Sequence, residues 1–112
     1  FINARTDGYL VNAPDKLAIT LRRAALYESA GADGIFVPFI DNLEEIQTIT
    51  NATSLPVNVL SMATLPSFDK LQKAGVRRVS VGSTTFRSTY NKLDTMLSAI
   101  KTSGSVQPVF PI

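Results

Sequence analysis

The chain has 112 residues, 45% hydrophobic and 18% charged, with a net charge of +2. That is the composition of one globular domain, and its positive charge is too small and too scattered to suggest nucleic acid. There is no cysteine and no histidine, which excludes disulfides and thiol catalysis and removes the commonest general base and metal ligand. No apolar run approaches the roughly 18 residues of a membrane span. No basic leader is visible, so a cytoplasmic location is the default expectation.

Short apolar runs alternate with amphipathic stretches. Residues 1–5, "FINAR", read as a first strand that ends on an arginine, followed at once by "TDGY". Pro14 and Asp15 then open a helix whose face is Leu17, Leu21, Ala24, Ala25 and Glu28, and Gly31 stops it with a left-handed cap. "GIFVP" is the second strand, ended by Pro38. Asn42 and Glu45 have capping-box spacing ahead of Leu43, Ile46 and Ile49. "LPVNVL" is the third strand, and a short helix capped by Ser67 carries Phe68 and Leu71 and ends at Gly75. "VRRVSVG", residues 76–82, is the fourth strand. A last helix over about 85–101 should bury Leu93, Met96, Leu97 and Ile100. The tail "SGSVQPVFPI" holds two prolines and should dock on the rest of the chain or on a partner subunit.

The order βαβαβαβα implies parallel strands with right-handed helical crossovers. Alternation gives each strand one apolar face and one more polar face. Asn3 and Arg5 share a face, Asn58 opposes Val57 and Val59, and Arg78 and Ser80 oppose Val79 and Val81. A doubly wound sheet wants both faces apolar, whereas a barrel places polar side chains at its strand C-termini. The favoured architecture is therefore α/β, half of a (β/α)8 barrel over residues 1–102, with residues 103–112 as the docking tail. Half a barrel exposes two strand edges, so a homo-oligomer, or pairing with the other half of the same barrel, is expected.

On the residues alone, Arg5 is either a charge-stabilising group at a barrel mouth or a strand-end arginine paired with Asp7. Asn58, an amide between two valines, must be satisfied either by a neighbouring strand's side chain or by a ligand. Ser80, with Gly82 and Ser83, closes the last strand as a turn and helix cap or as an anion-binding loop. Asp41 fits helix capping better than metal binding, because one carboxylate is a poor metal site. Asp33 precedes a strand and belongs at the end away from the mouth. Tyr9 reads as packing, and Arg87 faces either the mouth or solvent.

Together, "NARTDGY", "RAALYESAGADGIFVP", "LPVNVL" and "LQKAGVRRVSVGS" resemble the isocitrate lyase and phosphoenolpyruvate mutase superfamily, over roughly residues 1–87 in order. The resemblance implies the C-terminal half of a (β/α)8 barrel from a Mg2+-dependent lyase or phosphomutase. Such enzymes make or break a C–C or P–C bond beside a 2-oxo acid through an enolate. It implies that Arg5 contacts the substrate carboxylate and the developing enolate, with Asp7 orienting it from behind, and that Asn58 and Ser80 help bind substrate. The Mg2+ ligands and the acid–base groups would lie in the barrel's first half, so this chain alone should be inactive. The alternative is a catalytically inert half-barrel that serves assembly. One departure stands out: after the second strand the chain reads "VPFID", and Phe39 matches neither the glutamate of the isocitrate-cleaving branch nor the glycine of the mutase-like branch. An apolar ring there argues for a smaller 2-oxo acid or a phosphonate over a tricarboxylate.

Overall fold

The computed structural model describes residues 1–110. It divides into two compact units, Phe1–Val81 and a second from Gly82 onward. The first holds β1 (Asn3–Arg5), α1 (Lys16–Ser29), β2 (Gly34–Val37), α2 (Leu43–Ala52), β3 (Val57–Leu60), α3 (Phe68–Lys73) and β4 (Arg78–Ser80). The second holds α4 (Thr84–Ser103) and a 3-10 turn (Gln107–Val109) that packs on it. The strands form one parallel sheet in the order β1-β2-β3-β4.

The register staggers the strands. Asn3 faces Gly34, so β1 and β2 start level. Val57, the first residue of β3, faces Ile35, the second of β2, and Arg78, the first of β4, faces Asn58, the second of β3. The strands thus slip by one residue at each of the last two steps. An eight-stranded barrel of shear eight needs a slip of about one residue per strand.

The two faces divide as the alternation requires. Ile35, Val37, Val57 and Val59 point to the helix layer and are fully or almost fully buried, with Ala24 of α1, Ile46 and Ile49 of α2, and Leu71 of α3 against them. Paired residues of parallel strands share a face, so Arg5, Phe36, Asn58 and Arg78 form one row on the opposite side.

Local signals set the helix ends. Asn42 Oδ1 accepts from the backbone N–H of Glu44 and of Glu45, both at 3.0 Å, and so caps α2. Gly31 takes φ +88 just past α1, and Gly104 takes φ +64 at the C-cap of α4.

Three expectations need correction. Phe1 and Ile2 lie outside β1, with exposures of 84% and 63%, because β1 is an edge strand. The Ile2 carbonyl nevertheless accepts from the backbone N–H of Asp33 and Gly34. In α1 the buried line runs through Thr20 and Ala24, and Ala25 faces outward. In α4 no residue is buried, and Leu93, Met96 and Leu97 are exposed. The helix has its apolar stripe, but within its own unit only a one-turn segment is available to pack on it. Of the expected docking tail, residues 103–112, the turn at Gln107–Val109 packs on α4, and residues 111–112 lie outside the described residues.

Candidate functional site

The "RTDGY" segment turns sharply off the end of β1. The Thr6 backbone N–H donates to the Phe36 carbonyl at 3.0 Å, extending the ladder one step beyond Arg5. Thr6 is buried, and its hydroxyl accepts from Arg23 Nη1 of α1 at 3.4 Å. Tyr27, one turn further along α1, donates from Oη to the Arg5 carbonyl at 3.3 Å. A Cβ on Gly8 would stand 3.3 Å from the Lys16 carbonyl oxygen, so the loop runs close against the first turn of α1. Tyr9 is buried, and burial, reinforced by the Glu45 carboxylate beside it, pushes its phenol far above the ordinary value. Its hydroxyl and that of Thr20 are buried without a hydrogen-bond partner among the described residues. Tyr9 therefore acts as an apolar anchor for this loop.

That scaffold holds Arg5 at the last position of β1. Its Nε donates to Asp7 Oδ1 at 2.6 Å, and the guanidinium carbon lies 5.7 Å from the centre of the Phe36 ring. Both side chains are close to half exposed, at 49% for Arg5 and 43% for Asp7. Such a pair contributes roughly 0–1 kcal/mol to stability. Its main effect is geometric, because Asp7 occupies Nε and leaves the terminal Nη pair for an incoming anion. Two parallel N–H groups match a carboxylate or a phosphonate.

A second pair forms between β3 and β4, two strands across from Arg5. Asn58, 2% exposed, donates from Nδ2 to Ser80 Oγ at 3.0 Å, and Ser80 Oγ donates to Asn58 Oδ1 at 3.2 Å. The buried amide thus has its partner on the neighbouring strand. The Arg5–Asp7 pair and the Asn58–Ser80 pair share a face, with Phe36 of β2 in the row between them, and no hydrogen bond joins them among the described residues.

Other candidates resolve individually. Asp41 does not cap α2, since Asn42 does. Its Oδ2 instead accepts from Thr64 Oγ1 at 2.5 Å, tying the loop after β2 to the loop after β3. Asp33 Oδ2 accepts from the Ile2 backbone N–H at 2.7 Å, at the N-terminal end of β2. Ser83 precedes α4 but makes no side-chain cap, so the expected capping role fails there. Arg87 lies exposed on α4, in the second unit. Among the described residues no three Asp or Glu side chains gather into one cluster.

Sequence reasoning missed Phe36, which lies beneath the Arg5 guanidinium. Alternation alone puts Phe36 on a definite face of β2, but only the register between β1 and β2 reveals that this is the face of Arg5.

A parallel β/α unit with an arginine at a strand C-terminus and an Asn–Ser pair on the same face, away from the helices, has the layout of a barrel-type scaffold. The comparisons narrow that class. The family model for phosphoenolpyruvate phosphomutase matches residues 1–101. An uncharacterized protein of Mycobacterium tuberculosis is 41% identical over 83 residues, which are 74% of this chain and 32% of that protein. The 2-methylisocitrate lyase of Aeropyrum pernix is 31% identical over 96% of this chain and 35% of its own length. A crystal structure of a candidate lyase/mutase from Burkholderia cenocepacia J2315 superposes with a TM-score of 0.83 at 32% identity, covering 97% of this chain and 41% of that one. The chain belongs to the phosphoenolpyruvate phosphomutase family, within the isocitrate lyase and phosphoenolpyruvate mutase superfamily. It spans about a third of the length of the curated relatives it matches. Its fold is α/β, four parallel strands each followed by a helix, corresponding to half of a (β/α)8 barrel.

Proposed function

We propose that this chain supplies the C-terminal half of the active site of a lyase or phosphomutase acting on a 2-oxo acid. The observation that carries the reading is Arg5. Its backbone is fixed by Tyr27 and by the buried Thr6, its Nε is held by Asp7, and its Nη groups are free of partners among the described residues. A guanidinium so held can grip the substrate carboxylate with two parallel hydrogen bonds. It also stabilises negative charge as the carbonyl oxygen becomes enolate-like, without reorganising at the moment of reaction. Asn58 and Ser80 use one amide N–H and one lone pair on each other. The remaining amide N–H serves the substrate or holds the wall beneath it. Mg2+, with ligands from the barrel's other half, would supply further stabilisation of the enolate.

The native-length protein that carries this sequence should turn over a 2-oxo acid or a phosphonate analogue in the presence of Mg2+. Arg5→Lys, which keeps the charge but loses the fork, should lower kcat/KM by about 100-fold, in line with removal of one transition-state donor. The 112-residue chain by itself should show no turnover. Activity unchanged in Arg5→Lys would remove the central role given to this residue.

A second reading, a half-barrel that serves assembly without chemistry, is favoured by one observation: α4 buries none of its residues while carrying a stripe of large apolar side chains.

A further inference from the structure

The sheet face turned away from the helices carries positive charge and no negative. Its strand positions hold two arginines, Arg5 and Arg78, among the neutral Asn3, Gly34, Phe36, Asn58, Leu60 and Ser80. Arg5 has Asp7, which reaches it from the loop after β1. That contact is the one ion pair among the described residues, so Arg78, the exposed first residue of β4, has no carboxylate among them.

The exposure of Arg78 belongs to an unfinished sheet. β4 is an edge strand, and with α3 it lines a groove of about 190 Å3 to which Leu71, Val76, Arg78 and Val79 contribute. The matched segments cover only 32% and 35% of the curated relatives, which therefore have the length for further strands. Closing the barrel turns this face into a packed interior. A guanidinium stays charged at any working pH, and a buried charge without a partner is costly. Asn58, beside Arg78 in the row, is already bonded to Ser80.

We propose that the free edge of β4 is the docking surface for a strand from the barrel's other half that carries an inward-facing Asp or Glu, and that this carboxylate pairs with Arg78 when the barrel closes. The pair also fixes register. A slip of one residue would turn the carboxylate toward the helix layer and leave Arg78 alone in the interior. The proposal rests on the fold and is independent of the chemistry assigned to Arg5.

The test uses the native-length protein. Phenylglyoxal, which modifies accessible arginines, is followed by mass spectrometry, with the exposed Arg22 of α1 as internal reference. Arg78 should react at least about tenfold more slowly than Arg22, as groups shielded in a stable core do. Each Asp and Glu of the strand that completes the sheet beyond β4 is then changed to Asn or Gln, alone and together with Arg78→Gln, and urea midpoints give a double-mutant cycle. One of these acids should couple to Arg78, so that the double variant loses less than the two single losses added together. If Arg78→Gln does not fold, Arg78→Lys, which keeps the charge, carries the same cycle. Equal reactivity of Arg78 and Arg22 overturns the proposal, and so do independent, additive losses for every acid tested. Protection that vanishes on dilution means that a second copy covers the edge, and overturns it too.

Discussion

Helices α2 and α4 carry similar apolar patterns and meet different fates. In α2, Ile46 and Ile49 are each 1% exposed, packed in the core under β2 and β3. In α4, Leu97 is 56% exposed and no residue is buried. Periodicity in a sequence identifies the face that seeks cover. It says nothing about where that cover comes from, because burial is a property of the partner as much as of the helix.

The largest effect should come from cutting into the covered region. Ile46→Ala should cost about 3 kcal/mol in urea denaturation, through lost burial and an unfilled cavity. Leu97→Ala should cost less than about 1 kcal/mol, as surface changes do. Equal losses would break the contrast between the two helices. The next effect sharpens it. The open edges of β1 and β4 and the bare stripe of α4 lead us to expect a dimer or a larger assembly by light scattering at micromolar concentration. The double change Leu93→Glu and Leu97→Glu should shift the population toward monomer. A monomeric wild type would reject self-association as the way these surfaces are covered.

The smallest expected effect lies within the covered region. The Glu28 carboxylate of α1 accepts from the Ser54 hydroxyl and backbone N–H and from Thr53 Oγ1, and so clamps the loop between α2 and β3. The Ser54 hydroxyl bond first, and the Thr53 bond second, hold its pKa below the ordinary glutamate value. A carboxyl depressed in the folded state adds stability above the unfolded-state pKa, and that stability fades as pH falls through the folded value. The melting-temperature gap between wild type and Glu28→Gln should therefore be full at neutral pH and shrink as pH drops below about 4.5. A gap that does not change with pH would mean that Glu28 acts through packing alone.

Much of the fold was legible in the residues. The strand cores, the Asn42 cap and the Gly31 stop follow from local chemistry: alternation, a short acceptor side chain and freedom at positive φ. The candidate site was legible in part. Arg5 beside Asp7 is a two-residue relation that a bend in the chain brings about, and Asn58 among valines announces that a partner is needed. That Ser80 is the partner, that Phe36 lies under Arg5, and that Asp41 bonds Thr64 instead of capping α2 depend on register and loop path across 22, 31 and 23 residues.

By itself, then, the sequence determined the elements, their parallel order and the polarity of each sheet face, because these follow from nearest-neighbour sterics and from a period of two or of 3.6. Tertiary structure alone decided which side chains share a row, which apolar stripe is covered, and that Phe39 bears a left-handed backbone while its neighbours are drawn inward. Those outcomes come from packing between distant segments, where the burial of Pro38 and Ile40 outweighs the local preference of the residue between them.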